Sequence, residues 1–379
     1  MKYAISIDWL SLYCHYEPDD TDVQNAMQVL ADRAGSFWAP VENKDGGIFG
    51  AYPFRYRLQD FGTRQFAKFH TVAMPNEEGG FDDFCEVQSQ PYSNIIKQNS
   101  IIVRFVNRVL YRRDFWELAE RFLSDNHFTP KGITRIDICA DFNQFECIAP
   151  LDLIKGFAAE KYRHIGRGVG ALYFNHQVIQ KRYGVNYTGL SFGTHASDAH
   201  IYLYNKSFEL LTQKDKPYIR DLWNSIGLDV REVWRLEVSI KSKGTKFKDK
   251  STGEEITIDR DRVGDSSELS RIYHTFVAKM FAFIVNREDI KNITREPRLK
   301  LFDGAPCYDR GVIRNLSCGD RMDRMVIKAL WQLGDRYRGA TCFDFRENAQ
   351  AFALDIAESC DLGLWMGERI KMWDKPTHK

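Results

Sequence analysis

Gly132-Ile-Thr-Arg-Ile-Asp-Ile-Cys-Ala-Asp-Phe142, bounded by Pro130 and Asn143, alternates apolar and polar residues and predicts a strand. Side chains of a strand alternate between its faces, so Arg135, Asp137, Cys139 and Asp141 share one face. Ile136, Ile138 and Ala140 form the other, an ordinary core stripe. Carboxylates on one face repel when charged and are tolerated where a cation or an arginine lies between them. On spacing alone the same pattern fits a solvent-facing strand balanced by Arg135 or by lysines of a neighbour.

Two more segments carry chemistry. In Trp234-Arg-Leu-Glu-Val238, Arg235 and Glu237 share one strand face, and Trp234, Leu236 and Val238 the other. A lone strand glutamate gains meaning only if its strand lies beside the aspartate strand. In His200-Ile-Tyr-Leu-Tyr-Asn-Lys206 the residues His200, Tyr202, Tyr204 and Lys206 are expected on one face. That set combines a tyrosine hydroxyl with a cation able to lower its pKa or hold a phosphate. Tyrosines are also common at the edge of a sheet core.

Around these segments the chain reads as mixed. Residues 3–16 predict a strand, and 47–75 a meander holding Phe54, Tyr56, Phe66 and Phe69. Ile101, Ile102, Phe105, Val109, Phe115, Leu118 and Phe122 fall at helical spacing, predicting one long helix or two over 94–125, with Arg104, Arg108, Arg112 and Arg113 in it. A helix is expected near 150–161, strands near 169–175, 187–194, 198–206 and 231–241, and a helix near 215–227. The lysine-dense stretch 241–250 predicts a loop or hairpin tip. Asp265 and Glu268 form a capping pair before a helix running to about Arg287. Periodicity fades over 288–320, the expected domain boundary. Helices follow near 322–333, stopped by Gly334, and near 345–361. The expected fold is α+β: an antiparallel-sheet domain over 1–290, built of two related halves, and a helical C-terminal module over 291–379. The Ile-Asp sequences at Asp8 and Asp137 hint at such a duplication.

Composition sets the frame. Of the 379 residues, 44% are hydrophobic and 28% charged, the balance of a folded globular chain. The start, Met1-Lys-Tyr-Ala-Ile-Ser-Ile-Asp8, lacks the apolar stretch of a signal peptide, and no apolar run spans a bilayer, so a cytoplasmic protein is expected. The 8 cysteines include no Cys-x-x-Cys pair, which argues against a zinc ribbon and for reduced, mostly buried thiols. A net charge of +1 does not by itself advertise nucleic-acid binding, so the placement of positive charge decides.

The order of the motifs is more specific than any one of them. Asp8-Trp9-Leu10-Ser11, then Arg135-Ile-Asp-Ile-Cys-Ala-Asp141, then Gly189-Leu-Ser-Phe-Gly-Thr194 leading to Tyr204-Asn-Lys206, then Trp234-Arg-Leu-Glu237 resembles the replication initiation factor family. These are the Rep-trans type initiators of rolling-circle plasmids, phages and conjugative elements. The resemblance covers about residues 5–245. It implies a nickase that cuts one DNA strand and stays joined to the 5′ phosphate through a tyrosine. Carried over, Tyr204 is the nucleophile with Tyr202 as second choice, and Lys206 steadies phosphate charge. Asp137, Asp141 and Glu237 would be the carboxylates of a divalent cation, Mg²⁺ or Mn²⁺. The chain has no His-x-His pair, and the arginine usual before Tyr-x-Lys is replaced by the His200-Ile201 stretch.

The partner this implies is DNA, single-stranded or melted at an origin, with a host helicase and a second copy of the chain as further candidates and no membrane. Arg135, Arg163, Arg167, Lys181, Arg182, Lys241, Lys243 and Lys246 are the expected phosphate contacts, and Tyr162, Tyr173, Tyr183 and Tyr187 lie among the basic residues and could stack unpaired bases; solvated surface lysines and tyrosines packed in the sheet fit the same pattern equally well. A conjugation relaxase would use the same chemistry. A non-catalytic DNA-binding protein on this fold and a metal-dependent nuclease using water are the competing classes.

Overall fold

A computed structural model describes residues 1–17, 39–40, 54–59, 61–93, 96–166, 170–179, 182–194, 197–213, 215–290, 292–302, 304–311, 325–332, 345–359, 362, 366 and 369. Its strands are β1 (Tyr3–Tyr16), β2 (Ala39–Pro40), β3 (Arg55–Leu58), β4 (Phe66–Pro75), β5 (Phe81–Pro91), β6 (Ser100–Phe105), β7 (Phe128–Phe142), β8 (Tyr162–His164), β9 (Gly170–Ile179), β10 (Arg182–Phe192), β11 (Ala199–Asn205), β12 (Trp234–Lys241), β13 (Lys246–Asp249), β14 (Glu255–Thr257), β15 (Phe283–Val285) and β16 (Arg310–Gly311). With the helices between them this is an α+β fold with an extensive antiparallel sheet and helical elements near the C-terminus.

The chain divides into two compact units. The first holds Met1–Leu12, Arg104–Ala119 and Gly132–Ile313, the second Tyr13–Val103, Glu120–Lys131 and Arg314–Lys379. Strands β1 and β7 contribute residues to both.

In the first unit the strands run in the order β1-β7-β12-β11-β10-β9. The pairs β7/β12, β12/β11, β11/β10 and β10/β9 are antiparallel. One face of this sheet is apolar: Ile136, Ile138, Ala140, Leu203, Leu236, Val238 and Ile240 are fully buried. The helix Ser266–Met280 packs there, and its Tyr273 hydroxyl donates to the Leu236 carbonyl oxygen at 3.0 Å. Asp265 caps that helix by accepting from the amides of Ser267 and Glu268 at 2.8 and 2.9 Å. The helix stops at Met280, and β15 follows where the sequence suggested continuation to Arg287.

Two short helices hold the polar face in place. Asn205 caps the first, Lys206–Thr212, by accepting from the Phe208 amide at 2.8 Å. Lys206 therefore opens a helix and does not extend the alternation of β11. The second, Pro217–Ile226, begins with proline and ends at Gly227, whose φ of +70° lies in the left-handed region that glycine adopts freely. Leu210, Ile219, Trp223, Leu228 and Val233 form the cluster that joins them.

The second unit pairs β2-β3-β4-β5 antiparallel, with β6 and β1 next in order. Its core is aromatic: Phe84 and Phe122 meet Phe54 with centroids 5.0 and 5.2 Å from it, and Phe128 meets Phe122 at 6.0 Å. Among the C-terminal residues, a helix at 325–332 and the helix Phe345–Ser359 share a buried cluster of Ile327, Trp331, Ala353, Ala357, Leu362 and Met366. Gly334, the predicted stop, and residues 47–53 of the predicted meander lie outside the described residues.

One expectation is corrected. Residues 100–105 are strand β6, and helices cover only Asn107–Leu110 and Phe115–Asp125. The run Ser-Ile-Ile-Val-Arg-Phe is rich in β-branched residues, and the four-residue step from Ile101 to Phe105 fits a helix by coincidence. Arg104 thus lies on a strand, Arg108 in a helix turn, and Arg112 and Arg113 between the helices. Leu236 is fully buried beneath the polar face. Leu236→Ala is expected to cost about 2–5 kcal/mol of unfolding free energy, measured by denaturant titration.

Candidate active site

The polar face of the first unit gathers its groups by strand register. Tyr204 lies opposite Arg235, Tyr202 opposite Glu237, and His200 opposite Ser239. Across the other edge of β12, Arg235 lies opposite Asp141, Glu237 opposite Cys139, Ser239 opposite Asp137 and Lys241 opposite Arg135. The aspartate strand and the glutamate strand are therefore direct neighbours, the condition under which Glu237 carries meaning.

Arg235 is the centre of this face. Its side chain is fully buried, and its Nε and Nη2 donate to the two oxygens of Asp141 at 2.6 and 2.7 Å. Nη1 donates to Asp8 Oδ1, and Nη2 also reaches the Tyr111 hydroxyl at 3.0 Å. Tyr111 in turn donates to Asp8 Oδ1 at 2.9 Å, and Trp223 Nε1 donates to Asp141 Oδ2 at 2.7 Å. Every charge here meets an opposite one in bidentate or branched geometry, the condition for burying ions without a large penalty. Burial by itself would raise the Asp8 carboxyl, but the charges of Arg235 and Lys206 hold it well below the ordinary carboxylate range.

Beside this network sits the tyrosine. The Tyr204 hydroxyl donates to Glu237 Oε2 at 3.1 Å and accepts from Lys206 Nζ at 3.4 Å. Lys206 is almost wholly buried and is paired with Glu209 at 2.7 Å. Burial, helped by the negative charges of Asp8 and Asp137, raises the Glu237 carboxyl to about 7. Burial and the nearby Glu237 push the Tyr204 hydroxyl well above its ordinary value. The arrangement thus presents a hydroxyl that needs a base, with a carboxyl that titrates near neutrality as its acceptor.

Asp137 lies further along β7. Arg135 Nε and Nη2 donate to its two oxygens at 3.0 and 2.6 Å, and the Arg135 guanidinium also stacks on Trp9, 4.6 Å from the ring centre. Burial raises the Asp137 carboxyl, against the pull of Arg135.

The three expected metal carboxylates serve other partners in this arrangement. Asp141 spends both oxygens on Arg235 and Trp223, Asp137 both on Arg135, and Glu237 one on Tyr204. Among the described residues no group of three or more His, Cys, Asp or Glu side chains is arranged to hold a metal ion. As these side chains stand, Asp137, Asp141 and Glu237 do not fit a divalent cation.

The remaining candidates are spread more widely. Arg163 is exposed on β8, and Lys241, Lys243 and Lys246 are exposed over the end of β12, the 3-10 turn Ser242–Thr245 and the start of β13. Arg182 opens β10, while Arg167 and Lys181 lie outside the described residues. Lysine-rich 241–250 is thus a turn followed by a strand. Of the cysteines, Cys14, Cys85 and Cys139 are buried free thiols, Cys147 and Cys307 are exposed free thiols, and Cys318, Cys342 and Cys360 lie outside the described residues.

Sequence reasoning missed Tyr111, Trp223 and Lys216. Lys216 Nζ donates to Asn107 Oδ1 at 3.4 Å, and Asn107 Nδ2 donates to the Asp8 carbonyl oxygen at 2.6 Å. No sequence signal marks these residues, because their roles exist only once the helices dock on the sheet. The signal for Arg235 was present, since it shares a strand face with Glu237.

No family model matches the chain, and no curated protein matches it in sequence. Among solved structures it is similar to a rolling-circle replication initiator protein from Geobacillus stearothermophilus, at a TM-score of 0.41 and 14% identity, over 79% of this chain and 93% of that one. A likeness at that level says nothing about this chain's chemistry.

The network predicts its own stability behaviour. Asp141→Leu strands a buried guanidinium and is expected to cost about 3–5 kcal/mol, whereas removing the whole cluster, Asp141→Leu with Arg235→Met and Asp8→Asn, recovers part of that loss in a denaturant titration, because no buried charge is then left unpaired. The two carboxyls act with opposite sign against pH. The stabilisation from Asp8, whose carboxyl is depressed, is complete above about pH 4 and is lost in acid below it. The raised carboxyl of Glu237 favours the folded state below about pH 4.5, and that contribution disappears as pH rises through about 7. Glu237→Gln is expected to flatten the fall in unfolding free energy between pH 5 and 8, measured by urea titration across that range.

Proposed function

We propose that this chain cuts one strand of DNA by attack of the Tyr204 hydroxyl on a phosphodiester, and that it rejoins the strand by reversal of that step. The observation that carries the reading is the hydroxyl held between Glu237 Oε2 and Lys206 Nζ. In the forward step the Tyr204 oxygen forms a bond to phosphorus, and its proton passes to Glu237. The bond from phosphorus to the 3′ oxygen breaks, and that oxygen leaves with the electron pair and takes a proton from water. The products are a 3′-hydroxyl end and a 5′-phosphotyrosine. Lys206, and Lys216 close by, supply positive charge where the phosphoryl oxygens gain negative charge.

The order of motifs supports the same reading, since Tyr204 stands in Tyr-Asn-Lys and Glu237 in Trp-Arg-Leu-Glu. The setting we infer is initiation of rolling-circle replication of a plasmid, phage or mobile element, and a conjugation relaxase would run the same reaction. Arg135 and Lys241 lie opposite one another at one end of the β7/β12 pair, and we take them as contacts for the flanking phosphates of a DNA strand.

Tyr204 is chosen over Tyr202 on a geometric ground. Tyr204 has both a base and a cation at its hydroxyl, whereas Tyr202 stacks on the Tyr204 ring with centroids 4.6 Å apart. The test incubates labelled single-stranded origin DNA with the protein, with and without Mn²⁺, and resolves products on a denaturing gel. A covalent adduct lost in Tyr204→Phe and kept in Tyr202→Phe is the expected result. Cleavage without an adduct would indicate a nuclease that uses water, and binding without cleavage a DNA-binding scaffold. The rate of adduct formation is expected to rise with pH through about 7 as Glu237 ionises, and Glu237→Gln should lose at least about tenfold in rate together with that rise.

A further inference from the structure

A row of tyrosine rings crosses the polar face toward Tyr204, and it exists only because β10 leaves space for it. Tyr173 projects from β9 and Tyr202 from β11, two strands that each pair with β10 and not with each other. Strands separated by one intervening strand lie roughly 10 Å apart, yet these ring centroids are 5.1 Å apart. The rings lean together over the residues that β10 offers on this face, Gly189 and Ser191. A Cβ on Gly189 would come within 2.7 Å of Tyr202 Cε2 and 2.9 Å of its hydroxyl, so only a glycine lets the Tyr202 ring lie where it does. Ser191 Oγ meets the Tyr173 hydroxyl at 3.3 Å and steadies the outer ring.

The row is graded in exposure. Tyr204 is engaged by Glu237 and Lys206, Tyr202 stacks on it with the planes 22° apart, and Tyr173 ends the row with 41% of its surface open. Sheet packing would have sealed the last ring, and among the described residues no ring other than Tyr202 lies against it.

We infer that Tyr173 and Tyr202 form a stacking platform for an unpaired base of single-stranded DNA next to the scissile phosphate. The inference rests on the strand-nicking reading of Tyr204 and deepens it by naming what holds the substrate. A base continuing the row from Tyr173 would set the backbone across the face toward Tyr204 and Lys206. Stacking tolerates any base, because every base offers a flat face, so this platform fixes position and leaves sequence choice to other contacts. Tyr202 is then a positioning residue, whose hydroxyl takes no part in the reaction.

The test is fluorescence anisotropy with a labelled single-stranded oligonucleotide of mixed sequence, and with copies in which one abasic position is moved along the strand. Tyr173 is half exposed, so Tyr173→Ala is not expected to disturb folding, and Tyr173→Phe keeps the ring. Tyr173→Ala should weaken binding roughly tenfold and Tyr173→Phe should bind as the wild type does. At one abasic position the wild type should lose about the same factor while Tyr173→Ala loses nothing further. Unchanged binding by Tyr173→Ala overturns the inference, and so does a loss that adds fully to that of every abasic oligonucleotide. Those outcomes leave the nicking reading standing if the wild type still forms its adduct. A wild type that binds none of the oligonucleotides overturns both.

Discussion

The ion cluster of Arg235 with Asp141 and Asp8 is the constraint on which the polar face depends. A guanidinium buried without partners would cost several kcal/mol, and here two carboxylates and a tyrosine hydroxyl take up its donors. The cluster ties together β1, β7 and β12, and through Trp223 and Tyr111 it ties the flanking helices to the sheet. Once that frame is fixed, the register of β12 with β11 places Glu237 beside Tyr204. Geometry at the hydroxyl is thus a consequence of pairing several residues away.

The same frame explains how charge is sorted. Asp141 and Asp8 are both committed to Arg235, whose charge helps to hold the Asp8 carboxyl low, while burial pushes the Glu237 carboxyl, bonded to Tyr204, toward neutrality. Groups of one chemical type are driven to different protonation behaviour by burial and neighbours, a common route to a base that works near neutral pH. Asp137 takes a third course, held by Arg135 on the more exposed end of the strand.

Much of this was legible in the sequence, and the reasons for what was not are physical. Alternation sorted Arg135, Asp137, Cys139 and Asp141 from Ile136, Ile138 and Ala140, because period two is local. The pairing of β7 with β12 joins residues about a hundred positions apart, and nothing local encodes it. An arginine on a strand reads as exposed, so the complete burial of Arg235 becomes visible only with Asp8, Asp141, Tyr111 and Trp223 around it. Lys206 was placed on the strand face because alternation was carried one residue too far, past the Asn205 cap that starts a helix. Its ammonium still reaches Tyr204. The interleaving of the two units, with β1 and β7 shared between them, is a property of chain threading that periodicity does not carry.

The central claim is that Tyr204 becomes covalently joined to DNA. The most direct measurement traps the adduct on single-stranded origin DNA, digests protein with trypsin and DNA with nuclease, and fragments the tryptic peptide spanning residues 183–206 by mass spectrometry. Fragment ions that place the nucleotide phosphate on Tyr204 are the predicted result. The phosphate on Tyr202, Tyr187 or Tyr183, or on a residue outside that peptide, would contradict the account.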